Sequence, residues 1–174
     1  MTEPDASARF TEMYAAHHAQ VYAYAVSRAG RRLADDVVSE TFLVAWRRLS
    51  AMPPAPLPWL LVVARNVMHG RYRDEVRQAS LADELRAWVD EVDADVADGV
   101  AERSSVLAAL AQLAESDREL LTLVAWHGLS NRDAARVVGC SVATFFVRLH
   151  RARKRLEQAL TDVDETESTK EFSR

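Results

Sequence analysis

The segment Ser141–Leu160 reads SVATFFVRLHRARKRLEQAL and combines an apolar with a cationic pattern. Its apolar residues recur at alternating steps of three and four, which is the spacing of one helix face. They are Val142, Phe145, Leu149, Ala152 and Leu156. Arginine and lysine occupy most of the positions between them. The pattern predicts one helix, and Ser141 is placed to accept hydrogen bonds from the free amides of its first turn.

A second, shorter helix is predicted directly before this one. Ser130 and Asp133 form a capping pattern at its start, and Gly139 marks its end. Only a three-residue turn then separates it from the basic helix. Two helices joined so closely, the second of them basic, are typical of a helix-turn-helix, whose second helix lies in the major groove of DNA.

The cationic side of the basic helix has two interpretations. At 100° per residue, the side opposite the apolar stripe holds Thr144, Arg148, Arg151 and Arg155. These residues can neutralise phosphates and, near the helix start, reach base edges. They can also form an ordinary solvated arginine face. The helix-turn-helix spacing and the scarcity of acidic residues in this segment favour DNA.

Charge is distributed unevenly along the 174 residues, whose net charge is −4. Residues 131–158 contain seven Lys/Arg and two acidic residues, whereas residues 81–103 contain two Arg and eight acidic residues. Screening limits interactions between exposed charges to about 10 Å, so a phosphate backbone responds to the local charge. The basic segment therefore remains a candidate for nucleic acid in an acidic protein.

Three helices are predicted in the first part of the chain. The first covers residues 6–29, and the second covers residues 33–50. Residues 51–58 read AMPPAPLP, in which no helix is expected. A third helix then begins near Trp59. Three helices with these apolar stripes can bury one core between them, which predicts a small helical domain.

The third helix carries polar and aromatic side chains toward its end. Val62, Asn66, His69 and Arg73 form one stripe, with Arg65 and Tyr72 beside it. Amide, ring and guanidinium groups on one face can hydrogen-bond and stack on unpaired bases. Such residues also end ordinary helices, so this pattern alone is a weak indication.

Several other classes of function lack support in the sequence. The chain has neither a signal-peptide pattern nor an apolar run long enough for a bilayer, so we expect a cytoplasmic protein without membrane insertion. Cys140 is the only cysteine, which excludes an internal disulfide, and no spacing typical of metal ligands is present. A nucleophile–base pair, a phosphate-binding glycine loop and a carboxylate pair are also missing. We therefore expect no enzyme activity, cofactor or small-molecule substrate.

Two segments together resemble a known family. DDVVSETFLVAWRRL (Asp35–Leu49), followed by PWLLVVARN (Pro58–Asn66), resembles conserved region 2 of the extracytoplasmic-function (ECF) group of bacterial sigma factors, in the sigma-70 family. Leu113–Leu156 resembles region 4 of the same group. Region 4 alone is a moderate signal, because response-regulator output domains share its helix-turn-helix. The presence of both modules in this order is a strong signal.

The resemblance implies an all-α fold of two small helical domains. A region-2-like three-helix domain is expected at residues 6–78, followed by an acidic linker at 79–103. A region-4-like four-helix domain with the helix-turn-helix is expected at 104–160. A disordered acidic tail is expected at 161–174.

The family's function implies partners and site residues for this chain. A sigma factor binds core RNA polymerase, directs initiation at specific promoters and helps to open the DNA. On the β′ clamp, the expected contacts are Asp35, Asp36, Glu40, Phe42 and Trp46. In the downstream promoter box, where a flipped base is captured, they are Trp59, Arg65, Asn66, His69, Tyr72 and Arg73. Region 4, held by the β flap, is expected to contact the upstream box through Ser141, Ala143, Thr144, Phe146, Val147, Arg148, Arg151 and Arg155. The acidic linker is expected along the polymerase's cationic RNA path, and an anti-sigma protein is expected as a further partner.

Two features depart from the family pattern. Family members usually carry Lys or Arg where this chain has Phe146, and a small polar residue where it has Val147. Phe146 lies about a quarter turn from the apolar stripe, where it can pack at the core edge or contact a thymine methyl group. It cannot donate a hydrogen bond to guanine. The base-capturing loop is usually polar, so the proline-rich residues 51–58 predict a stiffer and mainly apolar pocket.

Two alternative functions remain open on the sequence. A stand-alone helix-turn-helix regulator would bind duplex DNA without polymerase, as a dimer. A sigma-like decoy would bind a protein partner without reading promoters, and only Phe146 and the proline-rich loop support it.

Overall fold

The computed structural model describes residues 3–71 and 100–171, and the regular elements in these two ranges are helical, as the sequence predicts. In chain order they are α1 (Glu3–Ala29), α2 (Arg31–Arg47), a 3-10 turn (Leu49–Ala51), α3 (Pro56–Arg71), α4 (Val100–Gln112), α5 (Glu115–Ala125), α6 (Asn131–Val138) and α7 (Val142–Glu171). None of the helices in these ranges has the length and apolar character needed to cross a bilayer.

Helices α1, α2 and α3 pack on one another and form the N-terminal domain. Gly30 separates α1 from α2 with a φ of 77°, a left-handed value that glycine adopts without steric cost. Helix α3 begins at Pro56, inside the proline-rich segment and earlier than the predicted start at Trp59. The reason is that a proline in the first turn of a helix loses no intrahelical hydrogen bond. The prediction that residues 51–58 exclude helix was therefore wrong for their last three residues.

Helices α4 to α7 form the C-terminal domain, in which α7 packs on α4, α5 and α6. The predicted cap of α6 is confirmed, because the backbone amide of Asp133 donates to Ser130 Oγ at 3.1 Å. Gly139 ends α6 in a left-handed conformation with φ 73°. The cap of α7 is confirmed as well, since the amide of Thr144 donates to Ser141 Oγ at 3.1 Å. These local bonds hold the tight turn of the helix-turn-helix.

The C-terminal end of the chain differs from the prediction. Helix α7 continues to Glu171, where a disordered tail was expected from residue 161. The added turns contain neither glycine nor proline, and extending an existing helix adds one hydrogen bond for each residue fixed. Residues 79–99 of the predicted linker lie outside the described residues. Helix α4 begins at Val100, within the range predicted as linker.

The two domains are packed against each other. Helix α3 of the N-terminal domain contacts α6 of the C-terminal domain. One buried apolar cluster extends from Val21 and Leu61 in the N-terminal helices to Phe145 and Leu149 in α7. The two DNA-reading candidates, α3 and α7, are thus parts of one hydrophobic core.

Candidate nucleic-acid and polymerase interfaces

Helix α7 buries one side and exposes the other at its N-terminal end. Phe145, Leu149 and Ala152 are buried in the core. The candidate upstream-box residues Ser141, Ala143, Thr144, Phe146, Val147 and Arg151 are exposed, and Arg148 is half-buried. Of the two positions open to Phe146, the structure excludes the core edge, because the side chain is 53% exposed. The residues that begin the helix are therefore accessible to a partner.

Arg155 differs from the other cations of α7. Its Nη1 donates to Asp117 Oδ2 of α5 at 2.8 Å, and this carboxylate is almost fully buried. The contact ties α7 to α5 and orients the guanidinium toward protein. A contact between Arg155 and DNA stays a prediction, and it would compete with this ion pair.

The candidate downstream-box residues of α3 are divided between the surface and the interface. Asn66 and His69 are exposed, whereas Trp59 and Arg65 are half-buried. His69 Nδ1 lies 2.7 Å from the carbonyl oxygen of Arg65, a bond within the helix that orients the ring. Tyr72 and Arg73 lie outside the described residues. The structure thus brings Asn66 and His69 together on open surface and holds Arg65 apart from them.

Arg65 belongs to a polar cluster between the domains, which we call the Glu119 cluster: Tyr24, Arg28, Arg65 and Glu119. Glu119 Oε1 accepts from the Tyr24 hydroxyl at 2.7 Å and from Arg65 Nε at 3.0 Å, and Arg28 Nε lies 3.5 Å away. Glu119 is only 4% exposed. Burial, and then the Glu119 charge, raise the pKa of Tyr24 well above its ordinary value, so the hydroxyl remains a donor.

The Glu119 cluster also overrides a local pattern in the sequence. Ser116 and Glu119 have the spacing of a capping box at the start of α5. The N-cap of α5 is instead Ala114, without a side-chain hydrogen bond. Glu119 binds Tyr24 and Arg65, which are 95 and 54 residues away in the chain. No local spacing signals partners at such separations, so sequence reasoning missed this cluster.

The candidate polymerase-binding residues lie on α2, and one of them requires a correction. Asp35 and Asp36 are exposed and Trp46 is 44% exposed, while Glu40 is half-buried. Phe42, expected at the surface, is only 4% exposed. Its ring packs against Tyr14 at a centroid distance of 4.6 Å and edge-on against Phe10 at 6.4 Å. Phe42 therefore lies in the core beneath the exposed surface of α2.

Comparison with known families matches both parts of the chain. Residues 13–78 match Sigma-70 region 2, and residues 103–156 match Sigma-70, region 4. The ECF RNA polymerase sigma factor EcfG of Rhodopseudomonas palustris is 36% identical over 148 residues, covering 83% of this chain and 81% of that protein. The RNA polymerase sigma factor CnrH of Cupriavidus metallidurans is 35% identical over 147 residues, covering 75% of this chain and 74% of that protein.

Solved structures share the arrangement of helices. The sigma factor RpoE of Bartonella quintana, in complex with the anti-sigma factor NepR, superposes with a TM-score of 0.65 at 24% identity, covering 87% of this chain and 96% of that one. At this identity the likeness concerns the fold. CnrH, in complex with the cytosolic domain of CnrY, gives a TM-score of 0.61 at 32% identity, covering 89% of this chain and 88% of that one.

Proposed function

The chain belongs to the ECF group of sigma-70-family sigma factors, and from this premise we propose which of its surfaces contacts each partner during initiation. It binds core RNA polymerase and directs transcription initiation at specific promoters. The stand-alone regulator and the decoy are not favoured, since both sigma regions are present. We propose that the chain performs no catalysis of its own and acts in the cytoplasm, where its polymerase partner works.

The C-terminal domain reads the upstream promoter box as duplex DNA. The observation that carries this assignment is the open, cation-flanked start of α7, which follows α6 across a capped tight turn. Residues 131–158 contain seven basic and two acidic residues, which gives this segment a net charge of +5. Helices of this kind place their first turns against base edges and their cations against phosphates.

The N-terminal domain binds polymerase through α2 and the downstream box through α3. Exposed Asp35, Asp36 and Trp46 supply charge and an aromatic anchor on one surface, a combination frequent where partners dock. Exposed Asn66 and His69 supply hydrogen-bonding and stacking groups for unpaired bases.

An anti-sigma protein is a further partner in this proposal. The sigma factor RpoE is known in complex with the anti-sigma factor NepR, and CnrH in complex with the cytosolic domain of CnrY. The present chain matches both sigma factors over more than four fifths of its length. We therefore place it in the same kind of regulated pair.

A pull-down with core polymerase, followed by run-off transcription, tests the proposal. We expect the chain to bind core enzyme and to produce promoter-specific transcripts only in its presence. Charge reversal of both Asp35 and Asp36 to Lys should weaken core binding, whereas Glu12→Lys, at an exposed acid of α1, serves as the matched control. Tight duplex binding without polymerase would instead support the stand-alone regulator. Core binding without transcripts would support the decoy.

A further inference from the structure

The start of α7 exposes a pair of large apolar side chains. Phe146 is 53% exposed and Val147 is 51% exposed, while the neighbouring Phe145 is fully buried. A surface helix normally places polar residues opposite its buried stripe, because exposed apolar area is unfavourable in water. Phe146 and Val147 are therefore available for a partner and are not used by the core.

These two side chains are part of a continuous exposed face. Phe146 and Val147 lie three and four positions after Ala143 and four and three positions before His150, so the four residues are neighbours on the helix surface, and all are exposed. They occupy the first turns of the second helix of a helix-turn-helix, which are the turns that reach base edges. We call these four residues the apolar crest.

The surroundings of the apolar crest indicate a polyanionic partner. No acidic residue occurs from Val142 to Leu156. Arg151 lies one turn beyond Val147 and Arg153 lies two turns beyond Phe146, and both are exposed. Cations beside an apolar strip complement a major groove, in which phosphates line the edges and the base floor presents thymine methyl groups.

We propose that Phe146, together with Val147, recognises thymine C5-methyl groups in the upstream promoter box. The inference rests on the proposed function and specifies the sequence that its upstream reader prefers. A phenyl ring and an isopropyl group neither donate nor accept hydrogen bonds. Among the major-groove edges of the four bases, only thymine offers an apolar group. The base steps facing these two side chains therefore contain thymine in place of a guanine read by a hydrogen bond.

The test removes the methyl group and nothing else. Start-site mapping with the holoenzyme gives the upstream box, and each thymine of that box is then replaced by uracil. For the wild-type holoenzyme we expect one or two of these replacements to weaken binding about fourfold each, as the loss of one buried methyl group predicts. In Phe146→Ala the replacement at the thymine that faces Phe146 should have no effect, while a response that depends on Val147 is kept, and Phe146→Lys should select guanine from a randomised box.

Trp126→Ala is the matched control, because Trp126 is an exposed aromatic residue, 56% accessible, outside α7. It should keep the wild-type response to uracil. Equal binding of thymine and uracil boxes by the wild type would overturn the inference and leave the proposed function intact. So would a Phe146→Ala variant that selects the same box and responds to uracil as the wild type does, since Phe146 would then contact no methyl group. Absence of any promoter-specific start site would overturn both.

Discussion

The two candidate DNA-reading helices differ in how much of their candidate DNA-contacting surface is occupied by contacts within the protein. The first turns of α7 are open, and their exposed side chains are not part of the core beneath them. Helix α3 is instead packed on α1, α2 and α6, and its Arg65 donates to Glu119 of the other domain. The duplex reader is thus ready in this arrangement, whereas any contact of Arg65 with DNA must first replace a buried hydrogen bond to a carboxylate.

The domain interface and the proposed downstream-box surface therefore share a residue, Arg65. Asn66 is adjacent to Arg65 in the sequence but is exposed, so it belongs to the proposed DNA-facing surface alone. The following predictions test whether α3 is held by the interface and α7 is not.

The largest effect is expected from Glu119→Ala. This change leaves the Arg65 guanidinium and the Tyr24 hydroxyl without their buried partner and leaves Arg28 paired only with Glu115. Breaking a buried ion pair from one side typically costs about 3–5 kcal/mol, because the remaining charge is uncompensated. We expect a loss of this size in the free energy of unfolding, measured by urea titration, or an increased radius of gyration if the domains separate first.

Glu115→Ala is the control for Glu119→Ala. Glu115 lies on the same helix and contacts the same Arg28 at 2.7 Å, but its side chain is half exposed. Solvent screening limits such a pair to about 1 kcal/mol or less. If both variants unfold at the same urea concentration and keep the wild-type radius of gyration, the interface does not depend on the Glu119 cluster.

A second effect should separate Arg65 from Asn66. Arg65→Ala removes a hydrogen bond between charged groups, worth about 1.5–3 kcal/mol, and so lowers stability as well as promoter opening. Asn66→Ala should change stability by only about 0.5 kcal/mol, because its side chain is exposed, and yet reduce opening. Urea unfolding and permanganate reactivity of the downstream box measure the two properties. Equal stability losses in both variants would contradict the division of α3.

The third prediction compares two cations of α7. Arg151→Ala should weaken upstream-box binding and reduce the salt dependence by about one counterion, because an exposed cation is lost from the proposed DNA-facing side. Arg155→Ala should change the salt dependence less, since Arg155 contacts Asp117. Footprint titrations at several salt concentrations measure both slopes. Identical slopes for the two variants would show that the ion pair to Asp117 does not survive DNA binding.

Local patterns in the sequence were sufficient for the α7 side of this comparison. The caps at Ser130 and Ser141 involve residues three positions apart, so the side-chain type and spacing define the hydrogen bond. The apolar stripe of α7 likewise identifies the buried side at Phe145, Leu149 and Ala152, although Val142 at its start is 38% exposed. The helix-turn-helix was therefore predictable in position and orientation.

The α3 side depends on contacts that no local pattern contains. Glu119 has capping-box spacing, but its carboxylate is buried beside donors from two other helices. It accepts hydrogen bonds from those donors instead of capping α5. Phe42 was expected at the polymerase-binding surface through the family resemblance, but the aromatic rings of α1 cover it. Both residues are held by tertiary contacts, and both lie where α1 meets another helix.

The smallest expected effect concerns pH and the same interface. His127 follows α5, is buried, and its ring meets Tyr24 of α1 edge-on at a centroid distance of 5.7 Å. Burial lowers the pKa of His127 below its ordinary value of 6.5. As pH falls through about 6.5, the unfolded chain takes up this proton before the folded chain does, so stability decreases toward the lower folded pKa.

His127→Phe keeps an aromatic ring against Tyr24 and removes the titrating group. We expect the variant to lose less stability than the wild type when urea unfolding is compared about one pH unit above and below 6.5. If acid also loosens the contact between α1 and α5, the wild-type radius of gyration should increase on acidification more than that of the variant. Parallel pH profiles would show that the ring is protonated without cost, and hence that this edge of the domain interface already admits water.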